Sequence, residues 1–422
     1  MDNALLVFLD LGLYDLAESK KELENLAIAA ELNVLDSMTQ KLDKPTSNYY
    51  IGSGKVAELK KTVDVLKIDV CVFDTELSPA QIRNLEEALD TQVIDRGFLI
   101  LQIFAKRAKT KEARLEIDLA QQKYLLPRLI GLSSSLSRQG GGSFNSKGPG
   151  EKKLELDRRR IESNITKLED QLKKVHLEKK VNQKRRQSNQ IPIVALVGYT
   201  NAGKSSTMNS LLMKLMRNEE KKVFEKNMLF ATLQTQARQI NYYNEPSFIL
   251  TDTVGFVSRL PHDLVNSFKS TLEEVKQADL ILHIIDGSNP NYQHQITTTN
   301  DVLDSIEASH IETINVLTKL DLMINQTPIT DFKYQSISNK TKTNLDFLID
   351  EIYTRLFGQK VEVDLSFTYE EKSLINALYQ SSKIIDISYL EDEIRVKSII
   401  RESQLVTYQN QLISKELPSN EK

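Results

Sequence analysis

Residues 198–205 read GYTNAGKS, directly after the apolar run IPIVALVG (191–198) and directly before the helical pattern SSTMNSLLMKL (205–215). A buried strand that turns through glycines into a helix needs a parallel sheet around it, so this stretch commits its part of the chain to an α/β layer. The spacing G-x-x-x-x-G-K-[ST] also has a chemical sense. Backbone amides of Gly198, Tyr199, Thr200, Asn201, Ala202 and Gly203 can wrap a β-phosphate. Lys204 can reach the β- and γ-phosphates, and Ser205 can offer a hydroxyl to Mg²⁺.

Three further stretches follow in an order that fits a guanine nucleotide. DTVG (Asp252, Thr253, Val254, Gly255) comes after the apolar SFIL; Asp252 is placed to hold Mg²⁺ through water, and the Gly255 amide to read the γ-phosphate. TKLD (Thr318, Lys319, Leu320, Asp321) comes after TINVL. The Asp321 carboxylate can accept from guanine N1–H and the exocyclic amine, a donor pair adenine lacks, while the Lys319 stem lies along the base. Ser338, Asn339 and Lys340 then supply backbone donors for guanine O6. The stretch Phe230, Ala231, Thr232, Leu233 and Gln234 is the candidate switch, with Thr232 and Ser205 as the metal ligands. Lys204, Thr232 and Gly255 are the candidate catalytic residues. Phe256 follows Gly255, where a water-orienting Gln would stand in a Ras-like protein. A phenyl ring cannot orient water, so unaided hydrolysis is expected to be slow.

The fold class expected is a multidomain α/β chain. Residues 1–110 alternate strands (ALLVFLDLG, DVCVFD) with amphipathic helices (LAESKKELENLAIAAEL, PAQIRNLEEAL) as an N-terminal α/β domain. In 111–190, Leu115, Leu119 and Leu126, then Leu154, Ile161, Ile165, Leu168, Leu172 and Val175, keep helical spacing on two segments. They predict an antiparallel helical hairpin around a glycine-rich loop, with 178–190 as a linker. Residues 191–358 form the phosphate-loop domain. In 359–422, VEVDLSF alternates with Val361, Val363, Leu365 and Phe367 on one face, as in a strand of a small appended α/β domain.

Charge singles out the hairpin. A net charge of −3 for the whole chain conceals 23 Lys and Arg against 10 Asp and Glu between residues 96 and 190. Such a block fits a polyanion partner, most simply nucleic acid, or else a solvated helical face of mixed charge. Within it, SRQGGGSFNSKGPGEKKLELDRRR (137–160) holds Gly140, Gly141, Gly142, Gly148 and Gly150. Glycine lets a backbone approach folded RNA closely. Arg138, Lys147, Lys152, Lys153, Arg158, Arg159 and Arg160 can pair with its phosphates.

Other features exclude function classes. Cys71 is the single cysteine, which excludes an intrachain disulfide framework and fits a reducing compartment; within DVCVFD it reads as a buried strand residue. His176, His262, His283, His294 and His310 show no metal-ligand spacing, and His283 in LILHIID reads as a core histidine. IGSGK (51–55) imitates a phosphate loop without its spacing and reads as a strand–turn–helix. No apolar run reaches the ~20 residues of a membrane span. The acidic start MDNALLVFLDLG is not that of a signal peptide.

With these motifs in place, the sequence resembles the HflX family of translational GTPases. The likeness rests on YYIGSGKVAEL, FDTELSPAQIRNLEEAL, VIDRGFLILQIFAKRAKTKEARLEIDLAQQKYLLPRLIG, GPGEKKLELDRR, GYTNAGKS, LFATL and DTVGFVSRLPHDLVNSFKSTLEEV, and it covers nearly all of residues 1–358. It implies GTP and GDP as ligands and Mg²⁺ as cofactor. It also implies GTP-dependent binding to the large ribosomal subunit and its rRNA, splitting of stalled or idle ribosomes, and hydrolysis stimulated by that subunit. The glycine loop would enter near the peptidyl-transferase centre. The protein would be cytoplasmic and monomeric off the ribosome. Here Thr318 stands where the family has Asn, Asn339 where it has Ala, and TLQTQAR lacks the usual Asp-Pro. A ribosome-assembly GTPase and a GTP-sensing adaptor with little turnover are the competing readings.

Overall fold

The structure is a computed structural model. It describes residues 1–416 except 13–14, 109, 140–148, 188–190, 216–235, 243, 254, 258, 260–274 and 324–332. For residues 130–139, 149–154 and 179–187, and for Gln236, only the backbone is described. The described residues form two compact units. One takes in 1–186 with Val257 and Arg259; the other takes in 187, 191–256 and 275–416.

The first unit begins with a parallel four-stranded sheet in the order β2-β1-β3-β4, from β1 (Asn3–Asp10), β2 (Asn33–Lys41), β3 (Val70–Phe73) and β4 (Gln92–Asp95). β1 and β3 are covered on both faces, so they read as unbroken apolar runs. Cys71 lies in β3 with no exposure, and burial pushes its thiol up to about 12. β2 escapes a sequence reading because only Met38 in it is buried; its place is set by backbone pairing with β1.

Helices α1 (Leu16–Ala29), α2 (Ser53–Leu66) and α3 (Pro79–Leu89) connect these strands, and α4 (Arg96–Arg107) follows β4. Their starts are chemically marked. Asp15 caps α1, Ser78 and Gln81 form a capping box with Pro79 at the first turn of α3, and Asp95 caps α4 through the Phe98 amide. Arg96, 1% exposed, donates to Asp74 at 2.7 Å and to Glu22 at 2.6 Å. Arg259 also pairs with Asp74, at 2.9 Å.

Helices α5 (Lys111–Gln139) and α6 (Pro149–Gln187) complete this unit. Leu115, Leu119 and Leu172 are buried between them, with Ile165, Leu168 and Val175 against that cluster. His176 faces Glu112, and Lys123 faces Glu169, so the two helices run antiparallel. α6 continues through most of the stretch expected to be a linker. Losing the apolar period removes a packing partner, but Lys, Arg, Glu and Gln are good helix formers and no breaker occurs there.

The second unit holds a six-stranded sheet in the order β10-β9-β8-β5-β7-β6. Its strands are β5 (Ile193–Gly198), β6 (Gln236–Ile240), β7 (Phe248–Asp252), β8 (Leu280–Asp286), β9 (Thr313–Thr318) and β10 (Tyr334–Ser336). All pairs are parallel except β6 with β7. Among the described residues its sheet is flanked by α7 (Lys204–Leu215), α8 (Tyr292–Ser305) and α9 (Leu345–Phe357).

An antiparallel sheet follows, in the order β12-β13-β11-β14, from β11 (Lys360–Phe367), β12 (Lys383–Tyr389), β13 (Ile394–Arg401) and β14 (Leu412–Glu416). Helix α10 (Lys372–Ser381) buries Leu378 against Val361, Val363, Leu365 and Phe367. Arg401, 2% exposed, donates to both carboxylate oxygens of Glu245, at 2.8 and 3.0 Å, and Lys360 reaches the same carboxylate at 2.9 Å. Among the described residues no helix is long and apolar enough to cross a membrane.

Candidate nucleotide site

The site gathers at the carboxyl ends of β5, β7 and β9, where an open parallel sheet leaves a crevice. Gly198 turns the chain off β5 at φ 144°, and a Cβ there would stand 2.1 Å from the Ile284 carbonyl oxygen. No other residue fits that position. Asn201 (φ 62°) and Gly203 (φ 100°) complete the left-handed turns that lead into α7.

Lys204 is buried, and its Nζ donates to the carbonyls of Gly198 (3.0 Å) and Tyr199 (2.7 Å). Burial pulls its pKa down to about 8, and the nearby Asp252 carboxylate opposes that shift. Its charge therefore sits inside the loop, held by two backbone carbonyls and the attraction of Asp252. Ser205 donates to Asp252 Oδ2 at 2.8 Å. Asp252 has no exposure at the end of β7. Two hard oxygen donors of this kind suit a small divalent cation.

The D-x-x-G turn is laced to the loop. The Thr200 amide donates to the Phe256 carbonyl (2.7 Å), the Phe256 amide to the Gly198 carbonyl (3.1 Å), and the Thr253 hydroxyl to the Leu196 carbonyl (2.6 Å). A Cβ at Gly255 would lie 2.8 Å from Lys204 Nζ and from Thr200 Cγ2, so only glycine fits against the loop. The Phe256 ring is 2% exposed and belongs to the core. Residue 256 therefore offers no side chain to a bound phosphate.

On the base side, Asp321 Oδ1 accepts from the Ser338 hydroxyl at 2.6 Å, and that hydroxyl also accepts from the Thr341 amide at 3.1 Å. Lys319 adopts a left-handed φ of 60° and pairs with Asp286 at 2.6 Å. Asp286 ends β8, and no local sequence pattern marks it as part of the site. Thr318 is buried and contacts the carbonyls of Ala202 (2.6 Å) and Ile285 (3.1 Å). Asn339 donates to the Thr207 hydroxyl at 2.9 Å, Leu320 takes its amide to the Ile337 carbonyl at 3.1 Å, and Lys340 is exposed.

The remaining sequence candidates are placed unevenly. Phe230, Ala231, Thr232, Leu233, Gln234 and Val254 lie outside the described residues, as do Gly140, Gly141, Gly142, Lys147 and Gly148. Arg138 is in α5, and Gly150, Lys152 and Lys153 are in α6. Arg158 is paired with Glu162 at 2.8 Å and Arg159 with Glu155 at 2.7 Å, both along α6, and Arg160 is exposed. Histidine spacing gave no sign that His176 lies 3.5 Å from Glu112 with Glu116 beside them, because two helices bring these residues together.

Three successive regions of the chain match family models. Residues 17–105 match the family model "GTP-binding GTPase N-terminal", residues 107–186 "GTP-binding GTPase Middle Region", and residues 193–319 "50S ribosome-binding GTPase". The GTPase HflX of Caldanaerobacter subterraneus is 44% identical over 381 residues, covering 90% of this chain and 87% of its own. GTPase HflX of Escherichia coli K12 is 36% identical over 390 residues, covering 91% and 89%. A GTP-binding protein of Sulfolobus solfataricus, solved in complex with GDP, aligns with 84% of this chain and 99% of its own, at 24% identity and a TM-score of 0.46. Identity of this extent with curated relatives, across the N-terminal, middle and nucleotide-binding regions together, makes the chain a member of the HflX family of GTPases.

Proposed function

We propose that this GTPase binds the large ribosomal subunit in its GTP state and splits stalled or idle ribosomes in the cytoplasm. The reading is carried by one observation: a region matching a 50S ribosome-binding GTPase is joined in one chain to the α5–α6 hairpin. The surrounding stretch, 96–190, carries 23 Lys and Arg against 10 Asp and Glu. That excess favours contact with rRNA phosphates, and the glycines at 140–150 favour close backbone approach.

The nucleotide would lie with its phosphates in loop 198–205 and its base against the two loops that carry Asp321 and Ser338, which are joined at 2.6 Å. Ser205, with Asp252 behind it, would hold Mg²⁺, which supplies charge neutralisation on the β- and γ-phosphates. Lys204 leaves the loop carbonyls for the phosphates, and the Gly255 amide reads the γ-phosphate. Since the Phe256 ring is buried, no group at that position orients water. Hydrolysis then awaits a group brought by the ribosome.

Sedimentation of intact ribosomes with the protein and a non-hydrolysable GTP analogue tests the reading. Conversion to separate subunits supports it. Intact ribosomes with the protein bound only to free large subunits would favour a role in assembly.

A further inference from the structure

A guanine nucleotide spans two loops, so its affinity depends on how firmly those loops are spaced before it arrives. In this structure two side chains set that spacing. Thr318, at the end of β9, contacts the carbonyl of Ala202 at 2.6 Å, in the phosphate loop. It also lies 3.1 Å from the Ile285 carbonyl, but a hydroxyl has one proton and can donate to only one of the two. Thr318 alone is therefore a single tie.

Asn339 comes from the other side of the base and donates to the Thr207 hydroxyl on α7 at 2.9 Å, across 132 positions of sequence. Thr207 has no exposure. Both side chains converge on Gly203. A Cβ at that glycine would stand 3.4 Å from Thr318 Oγ1 and 3.6 Å from Asn339 Nδ2.

The second observation concerns energy. Asn339 Oδ1 is buried with no hydrogen-bond partner among the described residues. An unpaired buried oxygen of this kind opposes folding, a burden that alanine would not carry. A residue that is poor for the fold yet ties two ligand loops together has the mark of a functional group.

We propose that Asn339 is a positioning residue for the guanine nucleotide. Its carboxamide adds a second tie, from the 338–340 loop to α7, beside the one that Thr318 makes to the phosphate loop. The inference rests on the nucleotide placement proposed above.

The test is GDP affinity, measured with a fluorescent GDP analogue on the full chain, alongside the thermal midpoint of the nucleotide-free protein. Asn339→Ala should weaken GDP binding about tenfold while shifting the midpoint little, because it removes both the unpaired oxygen and the partner of the buried Thr207 hydroxyl. Adding Thr318→Asn to that variant should recover most of the lost affinity. Affinity of Asn339→Ala within twofold of the parent would overturn the proposal, as would a double variant that stays weak. A lowered midpoint with no rescue would assign Asn339 to the fold alone. Lys204→Ala separates the two levels. If it retains GDP binding, the placement of the nucleotide is wrong; if it loses binding while Asn339→Ala keeps it, only the positioning role falls.

Discussion

The Ser205 hydroxyl and the Asp252 carboxylate meet at 2.8 Å, so the first turn of α7 and the end of β7 are joined at the point where a phosphate-bound cation would sit. Ser205→Ala removes one of these two oxygens. GTP turnover in the presence of large ribosomal subunits should fall at least tenfold, and the Mg²⁺ concentration for half-maximal turnover should rise. A magnesium titration of hydrolysis reads both, and an unchanged titration would exclude Ser205 from the metal site.

Asp321 should select guanine. Asp321→Asn swaps an acceptor for a mismatched donor opposite the base, and it also disturbs the Ser338 contact at 2.6 Å. Affinity for GTP should drop by at least a factor of ten. Competition titrations with ATP provide the control: equal binding of ATP and GTP by the unmutated chain would remove Asp321 from this role.

His283 should make the fold sensitive to mild acid. It lies in β8, 3% exposed, and desolvation lowers its pKa from 6.5 to about 4; a hydrogen bond with Asn315 opposes the shift, while the Lys204 charge adds to it. Between those two values only the unfolded chain binds the proton. Stability should therefore be full above pH 6.5, fall as pH drops toward 4, and lose no more below that, by roughly 3 kcal/mol in all. Urea unfolding of the parent and His283→Gln across this range should show a flatter profile for the variant.

Arg158, Arg159 and Arg160 should contribute to ribosome binding through charge. Two of them are held by Glu162 and Glu155 along α6, pairs that are solvent-exposed and worth only about 0.3–0.5 kcal/mol each. RNA phosphates can outbid such partners. Changing all three to Ala should leave helix content intact and reduce the log–log salt slope of binding by about one unit per lost contact. Unaltered slopes would mean that this face of α6 is only solvated.

How much could be read in advance depended on what each element packs against. The strand–turn–helix of residues 193–215 was legible because the glycines at 198 and 203 have backbone angles that other residues avoid. β11 was legible because one face is buried and the other is not. β12 and β14 were not, since they are edge strands with mostly exposed side chains, placed by the ladder alone. In the candidate site, the convergence of Lys204, Ser205 and Asp252 followed from motif order. The Lys319–Asp286 pair and the Thr207–Asn339 tie did not, because each joins residues far apart in sequence that carry no local pattern. The buried group of Glu22, Asp74 and Arg96 was hidden for the same reason.

Glu245 has a further consequence for the order in which the protein can be made. Its cationic partners, Lys360 and Arg401, are synthesised more than a hundred residues later. Until they arrive, a carboxylate that ends up 8% exposed has no counter-charge, which costs several kcal/mol if it is buried. The turn between β6 and β7 is thus expected to complete its packing only once Lys360 in β11 and Arg401 in β13 have been made. Nascent chains that stop before β11 should therefore be cut more readily by protease at that turn than chains that extend past β13.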